Sequence, residues 1–129
     1  MLRVLVIDDD HINNFTVGAM LKRVPFVDEY EITNGGAKAL AFLKEVNQTE
    51  QFPTTIFVDI NMPEMDGYEF LKHYEEDFMP NHKSTKVHML SSSISEVDIS
   101  KSLSYESVSE YVTKPLTRMK LKELIGEPA

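Results

Sequence analysis

The sequence predicts an α/β fold, a parallel sheet covered on both faces by helices, and three observations predict it. Short β-branched runs alternate with amphipathic stretches along the whole chain. The first and third of those runs are nearly continuous apolar segments, as expected of central strands buried on both sides. The 129 residues, 42% hydrophobic and 26% charged, are enough for one domain with a real core.

Taken in order, residues 2–7 form the first strand and residues 12–24 the first amphipathic stretch. Residues 27–33 and 36–46 repeat the pair. In the latter, Ala39, Phe42, Leu43 and Val46 fall at i, i+3, i+4, i+7, which is one stripe of a helix. Residues 54–60 form the third strand, and residues 68–74 the third helix, with Gly67, Phe70, Leu71 and Tyr74 at the same spacing. Residues 87–90 and 95–103 follow, then residues 108–112 and 116–125. The stretch 95–103 is the weakest helix, because Asp98, Ser100, Lys101 and Ser102 dilute its apolar stripe. Five strand-helix pairs imply right-handed crossovers and a three-layer sandwich. Residues 1–129 are expected to be one domain, with no repeat, low-complexity tract or linker and no output domain after the fifth helix.

Composition narrows the function classes. Thirteen basic against 21 acidic residues give a formal charge of -8, without a cationic cluster, which disfavours direct nucleic-acid binding. No apolar run approaches the roughly 20 residues of a membrane span, and the N-terminus lacks a signal-peptide pattern. A cytoplasmic protein without membrane contact is expected. With no cysteine, there is no disulfide framework, thiolate metal site or cysteine nucleophile.

In open α/β sheets the functional crevice lies at the carboxyl ends of the strands. Here the first run ends in Asp8, Asp9 and Asp10, the third in Asp59, and the fourth in Ser91 and Ser92. The fifth is followed by Lys114 and Pro115. Carboxylates gathered on one rim raise each other's pKa unless a cation shares the site. Oxygen ligands without cysteine or paired histidines point to Mg²⁺ rather than zinc. A carboxylate beside Mg²⁺ and a lysine can attack a phosphoryl group in line, which makes Asp59 the expected nucleophile.

These segments resemble the receiver domains of two-component response regulators. The matching motifs are Asp8-Asp9 after Val4-Leu5-Val6-Ile7, the string Asp59-Ile60-Asn61-Met62-Pro63-Glu64-Met65-Asp66-Gly67, then Met89-Leu90-Ser91-Ser92, and Tyr111-Val112-Thr113-Lys114-Pro115. The long string is specific. The other three sit on the expected strand ends.

The resemblance implies a flavodoxin-like sheet of order 2-1-3-4-5 and Asp59 as phospho-acceptor. It implies that Mg²⁺ is held by Asp9 directly, by Asp8 largely through water, by Asp59 itself, and by Asn61 through its backbone carbonyl. Ser91 corresponds to the hydroxyl that turns toward the new phosphate, Lys114 to the lysine that pairs with it, and Tyr111 to an aromatic switch. A cis Lys114-Pro115 peptide is implied as well. The expected partners are a histidine kinase or histidine phosphotransfer protein upstream, and an effector protein reading the fourth helix, fifth strand and fifth helix downstream.

Neighbouring residues have plainer roles. Asp10 and Asp66 suit helix N-termini, Pro63 shapes its loop, Gly67 admits close packing, and Ser92, Ser93 and Ser95 suit turns and caps. His11, His73, His82 and His88 are scattered, which argues against a histidine metal or phosphotransfer site. Asn61 and Ser93 occupy the positions where family members tune phosphate lifetime. The 105–109 loop lacks the glycine often found before the fifth strand, and residues 75–86 form a polar, extended connection.

Rival readings are an aspartate-nucleophile Mg²⁺ hydrolase, a flavodoxin-like electron carrier and a phosphorylation-independent interaction module. The first wants a second acid where this chain has Asn61. The second wants a glycine- and hydroxyl-rich phosphate loop where this chain has three carboxylates. Whether the chain stands alone or comes from a hybrid kinase is open at this level.

Overall fold

In the computed structural model of the protein, residues 2–126 are described. The strands are β1 (Leu2–Ile7), β2 (Val27–Thr33), β3 (Thr55–Val58), β4 (Lys86–Ser91) and β5 (Val108–Thr113). The helices are α1 (His11–Lys22), α2 (Gly36–Val46), α3 (Gly67–Asp77), α4 (Glu96–Leu103) and α5 (Arg118–Ile125), with a 3-10 turn at Met79–Asn81. The five strands form one parallel sheet in the order β2-β1-β3-β4-β5, as the resemblance implied.

Successive side chains of a strand point to opposite faces, so each central strand feeds two cores. Leu5, Ile7, Ile56, Val58, Val87 and Met89 pack with Ala39 and Leu43 of α2 and Phe70, Leu71 and Tyr74 of α3. Val4, Val6, Phe57, Leu90 and Val112 pack with Val17 and Leu21 of α1 and Leu121, Leu124 and Ile125 of α5. The two helical stripes read from spacing are therefore core stripes. α4 differs: Ser102 is its buried residue, while Val97 and Leu103 are exposed.

Boundaries shift where polar chemistry sets them. α1 stops at Lys22 and not at residue 24, because the Arg23 N–H already closes the last turn on Met20 and Leu21. α3 runs beyond residue 74 to Asp77, and starts from a capping box in which Asp66 and Glu69 accept each other's backbone N–H. α5 begins at Arg118 and not at residue 116, since the Thr117 hydroxyl oxygen accepts from Lys120 N–H at 3.1 Å. β3 ends at Val58, two residues short of expectation, and releases Asp59 to the rim.

The two irregular connections are both packed. Residues 105–109 turn without a glycine: Val108 N–H reaches the Tyr105 carbonyl at 3.1 Å, and Glu75 accepts from Ser107 N–H at 2.8 Å. In the 75–86 connection, His82 stacks on Phe52 at 3.5 Å between centroids, and its Nε2 lies 2.7 Å from Asn47 Oδ1.

Candidate functional site

Each rim residue is held by the strand next to it, so the site inherits the rigidity of the sheet. Asp8 N–H donates to Thr33 O at 3.1 Å, Asp59 N–H to Ile7 O at 2.9 Å, and Lys114 N–H to Ser91 O at 2.8 Å. These bonds carry the ladder one step past the strand ends. They bring the residues that follow β1, β3 and β5 into one crevice.

Asp8 is fully buried and densely partnered. Its Oδ1 accepts from Asp10 N–H at 3.0 Å, and its Oδ2 from Asn13 Nδ2 at 2.9 Å. Lys114 Nζ sits 2.7 Å from that same Oδ2 and 3.6 Å from Asp59 Oδ1. Asn14 Nδ2 donates to the Asp8 carbonyl at 2.7 Å. Sequence reasoning missed Asn13 and Asn14. A pair of asparagines in the first turn of a helix was the available signal, because asparagine is a poor helix former that prefers to bond nearby backbone.

Asp59 is 6% exposed. Burial, reinforced by the charge of Asp8, pushes its carboxyl up to about 6, while Lys114 pulls the other way. Burial alone would lower the Lys114 ammonium, but its bond to Asp8 and the charge of Asp59 raise it, so it stays a cation. The crevice sets three aspartate side chains against one lysine. Asp8, Asp9 and Asp59 each place a carboxylate oxygen within 4.8 Å of the others, with Asp9 the most open of the three. Hard oxygen donors in unbalanced negative charge suit a divalent cation such as Mg²⁺.

Asn61 is exposed on the loop after Asp59, and the nearby Ile60 carbonyl accepts from Gly67 N–H at 2.8 Å. Gly67 lies against Asp59 itself: a Cβ there would collide with the Asp59 carbonyl. Its expected role in close packing is thus a contact with the backbone of Asp59. The same loop holds Glu64 at φ 68°, a left-handed conformation uncommon outside glycine.

Ser91 is fully buried, and its Oγ accepts from Ser93 N–H at 3.1 Å, leaving the hydroxyl proton free to donate elsewhere. Tyr111 is half-buried and donates its phenol proton to the Ser93 carbonyl at 2.8 Å. Asp10 is the N-cap of α1, its Oδ1 accepting from Ile12 and Asn13 N–H, and Ser95 caps α4. The Lys114-Pro115 peptide is cis. His11 is exposed at the start of α1, and His88 is buried far down β4, so histidine contributes nothing to the carboxylate cluster.

Comparison with known proteins agrees with this geometry. The sequence model of the response regulator receiver domain matches residues 4–126. Protein PilG of Pseudomonas aeruginosa is 34% identical over 125 residues, covering 97% of this chain and 83% of that protein. A two-component response regulator from Cytophaga hutchinsonii superposes with a TM-score of 0.87 at 34% identity, covering 95% of this chain and 92% of the other. The Mn²⁺-bound form of response regulator Rcp1 superposes with a TM-score of 0.75 at 27% identity, covering 97% and 89%. Among longer relatives, the osmosensing histidine protein kinase SLN1 of Saccharomyces cerevisiae is 25% identical over 98% of this chain. The chain spans 10% of that kinase and 7% of the hybrid signal transduction histidine kinase L of Dictyostelium discoideum.

Proposed function

The chain belongs to the response regulator receiver family of two-component signalling, and from that premise we propose that it is a switch phosphorylated on Asp59 with Mg²⁺. The phosphoryl donor in this reading is a histidine kinase or a histidine phosphotransfer protein, and the setting is the cytoplasm. Among the described residues, no helix is long and apolar enough to cross a membrane. The observation that carries the reading is the meeting of Asp8, Asp9 and Asp59 within 4.8 Å, with Lys114 between two of them.

The residues act as follows. Asp59 is the nucleophile: one of its oxygens bonds to phosphorus as the bond from phosphorus to the donor breaks. With its carboxyl at about 6, it is mostly ionised at pH 7 and ready to attack. Lys114 stands 3.6 Å from Asp59 Oδ1, close enough to swing onto a phosphoryl oxygen. Asp8, Asp9, Asp59 and the Asn61 carbonyl are the proposed holders of Mg²⁺, as the Mn²⁺-bound form of Rcp1 also suggests. Bound there, the ion would supply positive charge in addition to that of Lys114. The Ser91 hydroxyl donates to the phosphoryl group. Tyr111, already bonded to the loop that carries Ser91 and Ser93, registers the shift.

Phosphorylation adds about 1.5 to 2 negative charges and three acceptor oxygens to a crevice already short of cations. The expected readout is the face of α4, β5 and α5, where Ile94, Val97 and Leu103 present exposed apolar side chains to a partner protein. Apart from phosphoryl transfer to its own Asp59 and hydrolysis of that product, no turnover is proposed.

Intact mass tests the reading. Incubated with Mg²⁺ and acetyl phosphate, the protein should gain one phosphoryl group. The gain should disappear in Asp59→Asn and on chelation of Mg²⁺. A folded protein that gains no mass would instead favour a phosphorylation-independent interaction module.

A further inference from the structure

α4 buries little apolar surface, with Val97 and Leu103 exposed and Ile99 half-buried, and the polar bonds that seat it are specific. The buried Tyr68, in the first turn of α3, places its phenol oxygen 3.2 Å from the Asp98 carbonyl, 3.3 Å from Asp98 Oδ1 and 3.3 Å from Ser102 Oγ. One O–H donates once, so it serves Asp98 by one of those two oxygens and accepts from Ser102. The ring is fixed in turn, with Tyr105 stacked at 5.8 Å between centroids and Lys101 Nζ over its face at 4.2 Å.

The other carboxylate oxygen of Asp98 reaches into the loop before α4. Asp98 Oδ2 accepts from Ser93 Oγ at 2.7 Å, a charge-assisted bond and the shortest in the group. The same Ser93 Oγ accepts from Ser95 N–H at 3.2 Å, its N–H donates to Ser91 Oγ, and its carbonyl takes the Tyr111 phenol proton. Ser93 is therefore bonded at once to the buried rim hydroxyl, to β5 and to α4. Asp98 passes that connection on to α3.

We propose that Asp98 and Tyr68 are positioning residues of the switch: the strap Ser91, Ser93, Asp98, Tyr68 couples the position of the Ser91 hydroxyl to the seating of α4 on α3. The proposal rests on the reading of Asp59 as phospho-acceptor. When Ser91 turns toward a phosphoryl group, the Ser93 N–H loses or follows its acceptor. The Ser93 hydroxyl then pulls on the Asp98 carboxylate. Because α4 buries so little apolar surface, those hydrogen bonds dominate its seating, and a shift in them moves the helix. Neither Asp98 nor Tyr68 touches the crevice, so removing them should leave the chemistry at Asp59 intact while cutting its link to α4.

The test measures both in the same samples. Tyr68→Phe removes the hydroxyl but keeps the buried ring, and Asp98→Ala removes both carboxylate oxygens, including the one that Ser93 reaches, while keeping the backbone carbonyl, with Asp98→Asn as the conservative partial rescue. Each is treated with Mg²⁺ and acetyl phosphate, checked by intact mass, and followed by amide hydrogen exchange across residues 91–103. Both Tyr68→Phe and Asp98→Ala should take up the phosphoryl group to the wild-type extent. Exchange in α4 of the unmodified variants should quicken by about fivefold, the factor for one net hydrogen bond. The change that phosphorylation produces in α4 of the wild type should fall by more than half, with Asp98→Asn between. A full-sized phosphorylation-dependent change in both variants would overturn the strap while leaving the phospho-acceptor reading intact. No mass gain in the wild type would overturn that reading, and the strap with it.

Discussion

Two buried titratable residues, His88 and Asp59, respond to pH in opposite directions. His88 is 1% exposed, lies 5.4 Å from the Phe57 ring, and has neither ring nitrogen hydrogen-bonded. Burial lowers its pKa from 6.5 to about 4. Above pH 6.5 it is neutral folded and unfolded, and makes no pH-dependent contribution. As the pH falls from 6.5 to 4, the unfolded chain takes a proton that the folded one refuses, so stability falls, by about 3 kcal/mol in all. Asp59 runs the other way: its raised pKa makes the folded state hold the extra proton, so its contribution falls as the pH rises from 3.8 to about 6. The His88→Phe variant isolates the first effect, since both proteins share the second. Urea unfolding at pH 7.5 and at pH 4 should show the variant gaining on the wild type by about 3 kcal/mol on acidification. Parallel curves would mean that His88 is protonated inside the fold.

Among the elements, α3 is the one whose start is most tightly specified. The reciprocal bonds of Asp66 and Glu69 fix its first turn, and Asp66→Ala should lower stability by about 1 kcal/mol in urea unfolding, with the phosphoryl mass gain retained. This cap was legible in the sequence, as was that of α1 at Asp10, because an aspartate before an apolar stripe has a local meaning. α2 was legible by the same token: its core stripe of Ala39, Phe42, Leu43 and Val46 is written in spacing alone. α4 was read from the dilution of its stripe, and the dilution is real. What replaces apolar burial there, Tyr68 against Asp98 and Ser102, joins residues 30 and 34 positions apart, and no local pattern announces such a pairing. The ends of α1 and α5 moved for related reasons, since a backbone or cap bond decides them.

For the whole molecule, the parallel sheet with two faces of helices followed from alternation and from near-continuous apolar runs. The strand order did not: it depends on which strand pairs with which, and it came from family resemblance. The crevice was legible because strand ends converge in such a sheet, which is why Asp8, Asp59, Ser91 and Lys114 could be named together. The asparagines around Asp8 and the contact of Gly67 with Asp59 belong to the third dimension. That contact ties the fold to the chemistry. Gly67→Ala would force its Cβ onto the Asp59 carbonyl, and it should cost about 2 kcal/mol. Urea unfolding together with the rate of phosphoryl uptake measures both consequences. A variant as stable and as fast as the wild type would mean that the start of α3 is free to slide.

The same contact makes the crevice lopsided. On one side, Asp59, Ile60 and the start of α3 are wedged backbone to backbone, with Gly67 N–H on the Ile60 carbonyl. On the other, the loop after β4 hangs on hydrogen bonds to the side chains of Ser91 and of Tyr111 in β5. The crevice therefore works like a vice with one fixed jaw. On the proposed reading, a phosphoryl group on Asp59 would displace the movable jaw and not the fixed one, so the change of charge would acquire a direction before any partner arrives.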